Sequence, residues 1–222
     1  MTERTDTTTD TGFLYPFLDA RERDPRSLLA DLAASARAKS AESARLRRAT
    51  LEESAEQLNR AAVEIARRFA AGGRMFTFGN GGSATDAATL ASLFARPPRG
   101  RPLPARSLTA DQAVLTALGN DVGFELVFAR QLIALAGERD IAVALSTSGS
   151  SADLTAALRE ARRRGMFTVG FAGYDGGAFA SDPNIDVCFV VRSQSVHRIQ
   201  EAQALLGYQL WVTVHAHGTG EQ

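Results

Sequence analysis

The sequence predicts an α/β fold in three layers: a five-stranded parallel sheet flanked by helices, with an N-terminal helical extension. From residue 74 onward, short apolar runs alternate with segments of helical periodicity, which favours strands connected by helices. The runs are continuously apolar, as is typical of parallel strands that are covered on both faces. A chain of 222 residues, 45% of them hydrophobic, is long enough to bury one sizeable core.

The region before residue 74 is predicted to be mainly helical. Residues 1–24 begin with a Thr- and Asp-rich stretch that has nothing to bury, so we expect a disordered or loosely packed extension. Residues 25–73 carry apolar residues at helical spacing and end at two glycines. Within them, TLEE at 50–53 has the form of a capping box, which predicts that a second helix begins there. The apolar stripes carry more Leu and Ala than one small sheet face needs, so we expect these helices to serve oligomerisation.

Residues 74–217 form the predicted α/β domain, with five strands and five helices. The strands are predicted at 75–78, 104–108, 141–146, 167–172 and 187–191. The helices are predicted at 83–95, 110–118, 124–136, 151–164 and 195–215. Sheets of this kind bind ligands at the carboxyl ends of their strands, where the strand order reverses.

Charge and cysteine content exclude several classes of protein. Lys plus Arg and Asp plus Glu number 25 each, so net charge favours neither nucleic acid nor a membrane surface as a partner. The single cysteine, Cys188, rules out an intrachain disulfide and a cysteine-based zinc site. The sequence has neither an apolar stretch of about 18 residues nor the apolar core of a signal peptide. We therefore expect a cytoplasmic protein.

Two loops at predicted strand ends are rich in glycine and hydroxyl groups. GNGGSA at 79–84 follows the first strand, and its glycines let the backbone turn tightly and approach a ligand. STSGSS at 146–151 follows the third strand and carries five hydroxyl groups. Each loop leads into a helix, whose first N–H groups and dipole favour an anion. Together the two loops predict a site for a phosphate group.

A dinucleotide site is an alternative interpretation of the first loop. Gly79, Gly81 and Ala84 fit the pattern G-x-G-x-x-A after a strand, which is a weak signature when it stands alone. The acidic residue expected about 20 positions later, at the end of the second strand, is missing. Arg106 in that strand suits a 2′-phosphate, so an NADP-binding module remains open as a hypothesis. This interpretation leaves the second loop unexplained.

Five stretches together resemble the sugar isomerase (SIS) domain of the phosphoheptose isomerase type. They are GNGGSATDA, TALGNDVGFE, STSGSSADL, GYDGG and RIQEAQ, in this order. The resemblance covers about residues 50–216 and implies a five-stranded parallel sheet between helices, assembled as a homotetramer with sites between subunits. It implies that sedoheptulose 7-phosphate is the ligand. The matching phosphate-loop positions are Ser146, Thr147, Ser148 and Ser151, and the matching sugar positions are Asn80, Gly81, Gly82, Ser83, Asn120, Asp121 and Gln200.

The resemblance also locates four positions that carry chemistry in active relatives. Those relatives place a His and a Glu on the helix after the first loop, and a Gln and a His on the last helix; the four side chains hold zinc where it is present. In this chain the positions hold Thr89, Leu93, Gln200 and Tyr208. Leu93 cannot transfer a proton, and a single Gln does not make a zinc site. We therefore expect no metal cofactor and favour phosphosugar binding over isomerisation.

Three hypotheses follow for the function. The first is a phosphosugar isomerase with altered catalytic residues, for which His197, one helical turn before Gln200, is the best candidate. The second is a non-catalytic phosphosugar-binding protein that senses a metabolite or scaffolds a partner, like the replication-initiator-associating proteins of this family. The third is the NADP-binding module.

Overall fold

The computed structural model describes residues 25–218, with side chains from residue 28 onward. The predicted extension at 1–24 lies outside the described residues. The helices are α1 Pro25–Ala70, α2 Gly82–Ala95, α3 Gln112–Asp121, α4 Val127–Leu135, α5 Ala152–Arg163 and α6 Val196–Gly218. The strands are β1 Met75–Gly79, β2 Ala105–Ser107, β3 Ile141–Leu145, β4 Phe167–Gly173 and β5 Val187–Val191. Short 3₁₀ helices span Phe124–Leu126 and Gly177–Ser181.

The five strands form one parallel sheet in the order β2-β1-β3-β4-β5. The chain first adds β2 on one side of β1 and then crosses over to add β3 on the other side. The strand order therefore reverses between β1 and β3, which is where ligands bind in open α/β sheets. The predicted α/β class, the number of strands and their parallel direction are all confirmed.

Successive residues of the central strands point to opposite faces of the sheet and so enter two separate cores. Val143 and Leu145 of β3 lie in a core that includes Leu58 of α1, Phe94 of α2 and Leu206 of α6. Ala142 and Ala144 lie in the other core. That second core includes Phe78, Phe128, Leu132, Leu154 and Leu158, from β1, α4 and α5. Both faces of the sheet are thus covered, which explains why the strands are continuously apolar.

The N-terminal region departs from the prediction of several helices. α1 runs without a break over 46 residues. The prediction that a second helix starts at 50–53 is wrong. No Gly or Pro between residues 26 and 70 interrupts the helix, and Thr50 is a buried residue within it and not its N-cap. The chain separates into two compact units at Glu42 and Ser43. In the first unit, residues 29–42 are helical and exposed.

α3 and α4 also differ from their predicted bounds. The predicted helix 110–118 begins later because Asp111 caps it, with its side chain accepting a hydrogen bond from the Val114 N–H at 3.0 Å. The predicted helix 124–136 opens with a 3₁₀ turn before α4 begins at Val127. No helix among residues 25–218 has the length and apolar character that crossing a membrane requires.

One arginine near the C-terminal end of α1 connects this helix to the segments that precede β3 and β4. Arg68 Nη1 donates hydrogen bonds to three backbone carbonyls, those of Glu138, Asp140 and Gly165, at 2.7, 3.0 and 3.1 Å. Its Nε donates to Glu64 at 2.7 Å. Hydrogen bonds from Arg67 lower the pKa of Glu64 to about 2 against the opposing effect of burial, and Arg68 adds to the lowering.

Glu64→Gln is expected to reduce stability in a pH-dependent way. Because folding lowers the pKa of Glu64, its contribution is complete above the ordinary glutamate pKa and is lost as the pH falls toward 2. We expect the free energy of unfolding to differ by about 1 kcal/mol between wild type and variant at pH 7. Urea unfolding at pH 7, 4 and 2 measures this difference, and a difference that stays constant over these pH values would contradict the assignment.

Candidate functional site

The two predicted binding loops lie side by side because β1 and β3 are neighbours in the sheet. Gly79, the last residue of β1, pairs with Leu145, the last residue of β3. A side-chain contact then joins the loop after β1 to the helix after the second loop. Asn80 Nδ2 donates to both carboxylate oxygens of Asp153 at 3.1 and 2.9 Å, and Asp153 is buried in the first turn of α5. Asp153 therefore positions the predicted sugar-binding residue Asn80.

The hydroxyl groups of the second loop differ in burial and in how far hydrogen bonds within the loop use them. Ser146 is buried, and its Oγ accepts a hydrogen bond from the Gly149 N–H at 2.9 Å, which holds the loop closed. Ser148 is exposed, and Thr147 and Ser151 are half-buried. Ser151 occupies the N-cap position of α5, yet its side chain makes no capping hydrogen bond. Its hydroxyl and the N-terminus of α5 are thus available to an anion.

Gly149 allows this loop to turn against the segment after β4. Its φ is +64°, and a Cβ there would lie 2.2 Å from the carbonyl oxygen of Gly176. The Gly149 carbonyl accepts from the Phe179 N–H at 3.0 Å, which fixes the same approach. A side chain at this position is excluded both by space and by backbone conformation.

The first loop leads directly into α2. Gly81 precedes the helix and Gly82 begins it; both are exposed, whereas Ser83 is buried in the first turn. A Cβ on Gly82 would meet the amide end of the Gln200 side chain, so α6 places Gln200 directly against the start of α2. Gln200 Nε2 also donates to Asp86 Oδ2 at 3.1 Å.

A cavity of about 50 Å³ lies between α2 and α6, next to the start of the second loop. Its lining residues are Asp86, Thr89, Leu90, Leu93, Leu145, Gln203, Ala204, Gly207 and Tyr208. Thr89, Leu93 and Tyr208, three positions at which the family resemblance leads one to expect catalytic or zinc-binding side chains, therefore come together. Sequence reasoning did not assign a role to Gln203, whose Nε2 donates to the Ser146 carbonyl at 2.8 Å. Its spacing of three residues from Gln200 on one helix was the available signal.

A larger cleft of about 450 Å³ lies on the other side of the first loop. Its lining residues are Gly79, Asn80, Gly81, Ala84, Thr85, Ala88, Thr109, Gln112, Leu115, Phe124 and Phe128. Asn120, Asp121 and His197 are among the predicted site residues that line neither cavity. Asn120 and Asp121 are exposed at the end of α3, and His197 is exposed in the first turn of α6. Within a single chain they are not brought to the two loops' cavities.

The described residues offer little to a metal ion. Between residues 28 and 218, no group of three or more His, Cys, Asp or Glu side chains is arranged to hold one. Burial raises the pKa of the Cys188 thiol to about 11, so this thiol is protonated at neutral pH and is a poor ligand.

Comparison with known proteins agrees with the fold and with the paired loops. The SIS domain family matches residues 40–173, more than half of the 222-residue chain. The chain belongs to the SIS domain family. This SIS-domain protein is 46% identical over 162 residues to the phosphoheptose isomerase of Solidesulfovibrio magneticus, covering 70% of this chain and 76% of that one. It is 42% identical over 167 residues to the phosphoheptose isomerase of a Roseiflexus species, covering 73% and 83%.

Solved structures confirm the same architecture. The phosphoheptose isomerase of Neisseria gonorrhoeae superposes on this SIS-domain protein with a TM-score of 0.77 at 34% identity, covering 83% of this chain and 99% of that one. The phosphoheptose isomerase of Francisella tularensis gives 0.75 at 29% identity, covering 82% and 97%. The chain is therefore a phosphoheptose isomerase-like SIS protein, as the sequence motifs predicted.

Gly149→Ala is expected to destabilise the protein and to disorder the second loop. The Cβ meets the Gly176 carbonyl and the backbone adopts a strained φ, so we expect a cost of about 1–3 kcal/mol in the free energy of unfolding. Chemical denaturation measures it. The matched control is Gly119→Ala in α3, where a Cβ meets nothing within 4 Å and φ is not positive. Equal stability of the two variants would contradict this account of the loop.

Proposed function

We propose that this protein binds a phosphorylated sugar, of which sedoheptulose 7-phosphate is the reference compound, and that it does not isomerise it efficiently. One observation carries the proposal: at the point where strand order reverses, the hydroxyl-rich loop presents Ser151 and the start of α5 without internal capping. The family membership supports a phosphosugar over the NADP alternative.

The phosphate group is assigned to the second loop. Thr147, Ser148 and Ser151 supply hydroxyl donors, while Ser146 holds the loop in shape through its bond to Gly149. Each hydrogen bond to a charged oxygen contributes about 1.5–3 kcal/mol. Three or four such bonds are enough to hold the charged phosphate monoester without a Lys or Arg side chain.

The sugar is assigned to the first loop and to α6. Asn80, held by Asp153, and the exposed backbone at Gly81 and Gly82 face the same edge of the sheet as the phosphate loop. Ser83 is buried in the first turn of α2, so we assign it a role in shaping the loop and not a side-chain contact with the sugar. Gln200 is fixed between Gly82 and Asp86, which leaves its carbonyl oxygen as an acceptor.

The cavity between α2 and α6 lacks the side chains that isomerisation would need. Moving a carbonyl between two carbons needs a base, an acid and stabilisation of the enediolate, and general acid–base help typically contributes 10²- to 10⁴-fold in rate. Leu93 has no titratable group, and the phenol of Tyr208 is a poor base at neutral pH. His197 is exposed and outside this cavity, so we assign it no catalytic role. The four positions Thr89, Leu93, Gln200 and Tyr208 do not fit a zinc ion. Zinc needs three or four nitrogen, sulfur or oxygen ligands, and Gln200 is the one residue of the four that matches the expected ligand set.

Titration with sedoheptulose 7-phosphate tests the proposal. Calorimetry is expected to show saturable binding, and NMR of the same mixture is expected to show no aldose product above the uncatalysed level, with or without added zinc. Product formation at a rate typical of isomerases would refute the interpretation of Leu93 and Tyr208. Absence of binding would refute the assignment of the site.

Ser151→Ala is expected to weaken sedoheptulose 7-phosphate binding by about tenfold, because one hydrogen bond to the phosphate is lost. The Ser151 side chain makes no capping bond, so the melting temperature is expected to stay unchanged. Thr213→Ala on α6 is the control; among the described residues, its hydroxyl donates to the Gln209 carbonyl of its own helix. Unchanged affinity in Ser151→Ala would contradict the role given to this hydroxyl.

The proposal includes a homotetramer. Val122, Phe124 and Leu126 are 38%, 61% and 39% exposed beside the larger cleft, and apolar side chains grouped on a surface indicate an interface. A partner subunit at this surface would also explain how Asn120 and Asp121, which line neither cavity of one chain, take part in a binding site between subunits. Light scattering after gel filtration is expected to give about four times the chain mass of 23.7 kDa, and a smaller assembly for Phe124→Ser. A monomeric wild type would contradict this part of the proposal.

A further inference from the structure

A buried acceptor without a partner lies at the cavity between α2 and α6. Gln203 is fully buried and lines this cavity. Its Nε2 donates to the Ser146 carbonyl at 2.8 Å, whereas its Oε1 has no hydrogen-bond partner among the described residues. The opposite orientation of the amide would set Oε1 against the Ser146 carbonyl, so the hydrogen bond fixes which end is free. Buried acceptors are normally satisfied, which indicates a donor that comes from outside the chain.

A second acceptor lines the same cavity. Asp86 Oδ2 accepts from Gln200 Nε2 at 3.1 Å, and its other oxygen has no hydrogen-bond partner within residues 28–218. A carboxylate accepts hydrogen bonds and, while ionised, donates none. Two side chains of the cavity wall therefore offer acceptor oxygens to a ligand.

Donors on this wall are scarce. The Thr89 hydroxyl donates to the Thr85 carbonyl of its own helix at 2.9 Å. The leucines of the lining, including Leu93, have no polar group. Tyr208, which is 42% exposed, and the second N–H of the Gln203 amide are the side-chain donors that remain in this lining. A ligand carbonyl oxygen placed between the free oxygen of Asp86 and Oε1 of Gln203 meets two acceptors and gains no hydrogen bond from them. A ligand hydroxyl group in the same place donates a hydrogen bond to either oxygen.

From these two unpartnered acceptor oxygens we infer that the site selects a phosphorylated sugar alcohol over the corresponding ketose phosphate. The inference rests on the proposed function, since the phosphate must occupy the loop that begins at Ser146, which is bonded to Gln203. The cavity, of about 50 Å³, has room for a hydroxymethyl group, because about 10–15 Å³ of such volume is enough to hold one water molecule. Stabilising an enediolate requires donors, so an acceptor-rich wall also agrees with binding without isomerisation.

Calorimetry with three compounds tests the inference on the full chain. They are sedoheptulose 7-phosphate, the heptitol 7-phosphates obtained from it by borohydride reduction, and inorganic phosphate. The heptitol phosphates are expected to bind about tenfold more tightly than the ketose phosphate, because one satisfied hydrogen bond replaces an acceptor–acceptor contact. Equal or weaker binding of the heptitol phosphates would overturn the selection while leaving the proposed function intact. Failure of all three compounds to bind would overturn both.

Gln203→Met links the preference to the cavity. The variant is expected to abolish the heptitol preference while changing the affinity for inorganic phosphate less than about twofold. Gln209→Met on the same helix, outside the cavity lining, is the matched control and is expected to keep the preference. A preference that survives in Gln203→Met overturns the assignment. So does a parallel loss of phosphate affinity, because Gln203 would then act only by holding the Ser146 loop.

Asp86→Ala provides a second variant at a half-buried position, in case Gln203→Met does not fold as judged by circular dichroism. It is expected to reduce the heptitol preference and to retain inorganic phosphate binding, because Asp86 contacts α6 and not the phosphate loop. An undiminished preference in folded Asp86→Ala would overturn the role of the two acceptors.

Discussion

The pairing of β1 with β3 is the constraint on which the rest of the site depends. It sets Gly79 beside Leu145, so the two loops that follow these strands begin at the same level of the sheet. The strand order reverses there, and the helices that follow the two strands cover opposite faces and leave a crevice between their N-termini. Both helix dipoles then favour an anion at one place. Neither loop alone supplies that arrangement.

α6 completes the site by placing Gln200 against the start of α2. Gly82 leaves the space that Gln200 fills, and Gln200 in turn bonds to Asp86. Three residues later, Gln203 bonds to the backbone at the start of the phosphate loop. The last helix therefore connects the end of β3 to α2.

The two halves of the proposed site, one for phosphate and one beside it for proton transfer, differ in the side chains they offer. The hydroxyls and the glycine that shape the loop from Ser146 to Ser151 are in place, with Gly149 held against Gly176. The cavity beside it contains Leu93 and Tyr208 where relatives are expected to carry proton-transferring groups. Binding a phosphate ester needs only the first half, because hydroxyl and amide hydrogens suffice to neutralise it. Isomerisation needs both.

The sequence by itself determined the fold class, the strands and the two loops, because apolar runs, helical periodicity and glycine placement are local properties. It also indicated the resemblance that the family match confirms. Only the tertiary structure decided that α1 is one helix, that Ser83 is buried and that Asn80 is held by Asp153. The unpartnered oxygen of Gln203 also required the fold. Whether a polar atom is satisfied depends on what lies across from it in space, and residues 146 and 203 meet only when α6 returns to the sheet.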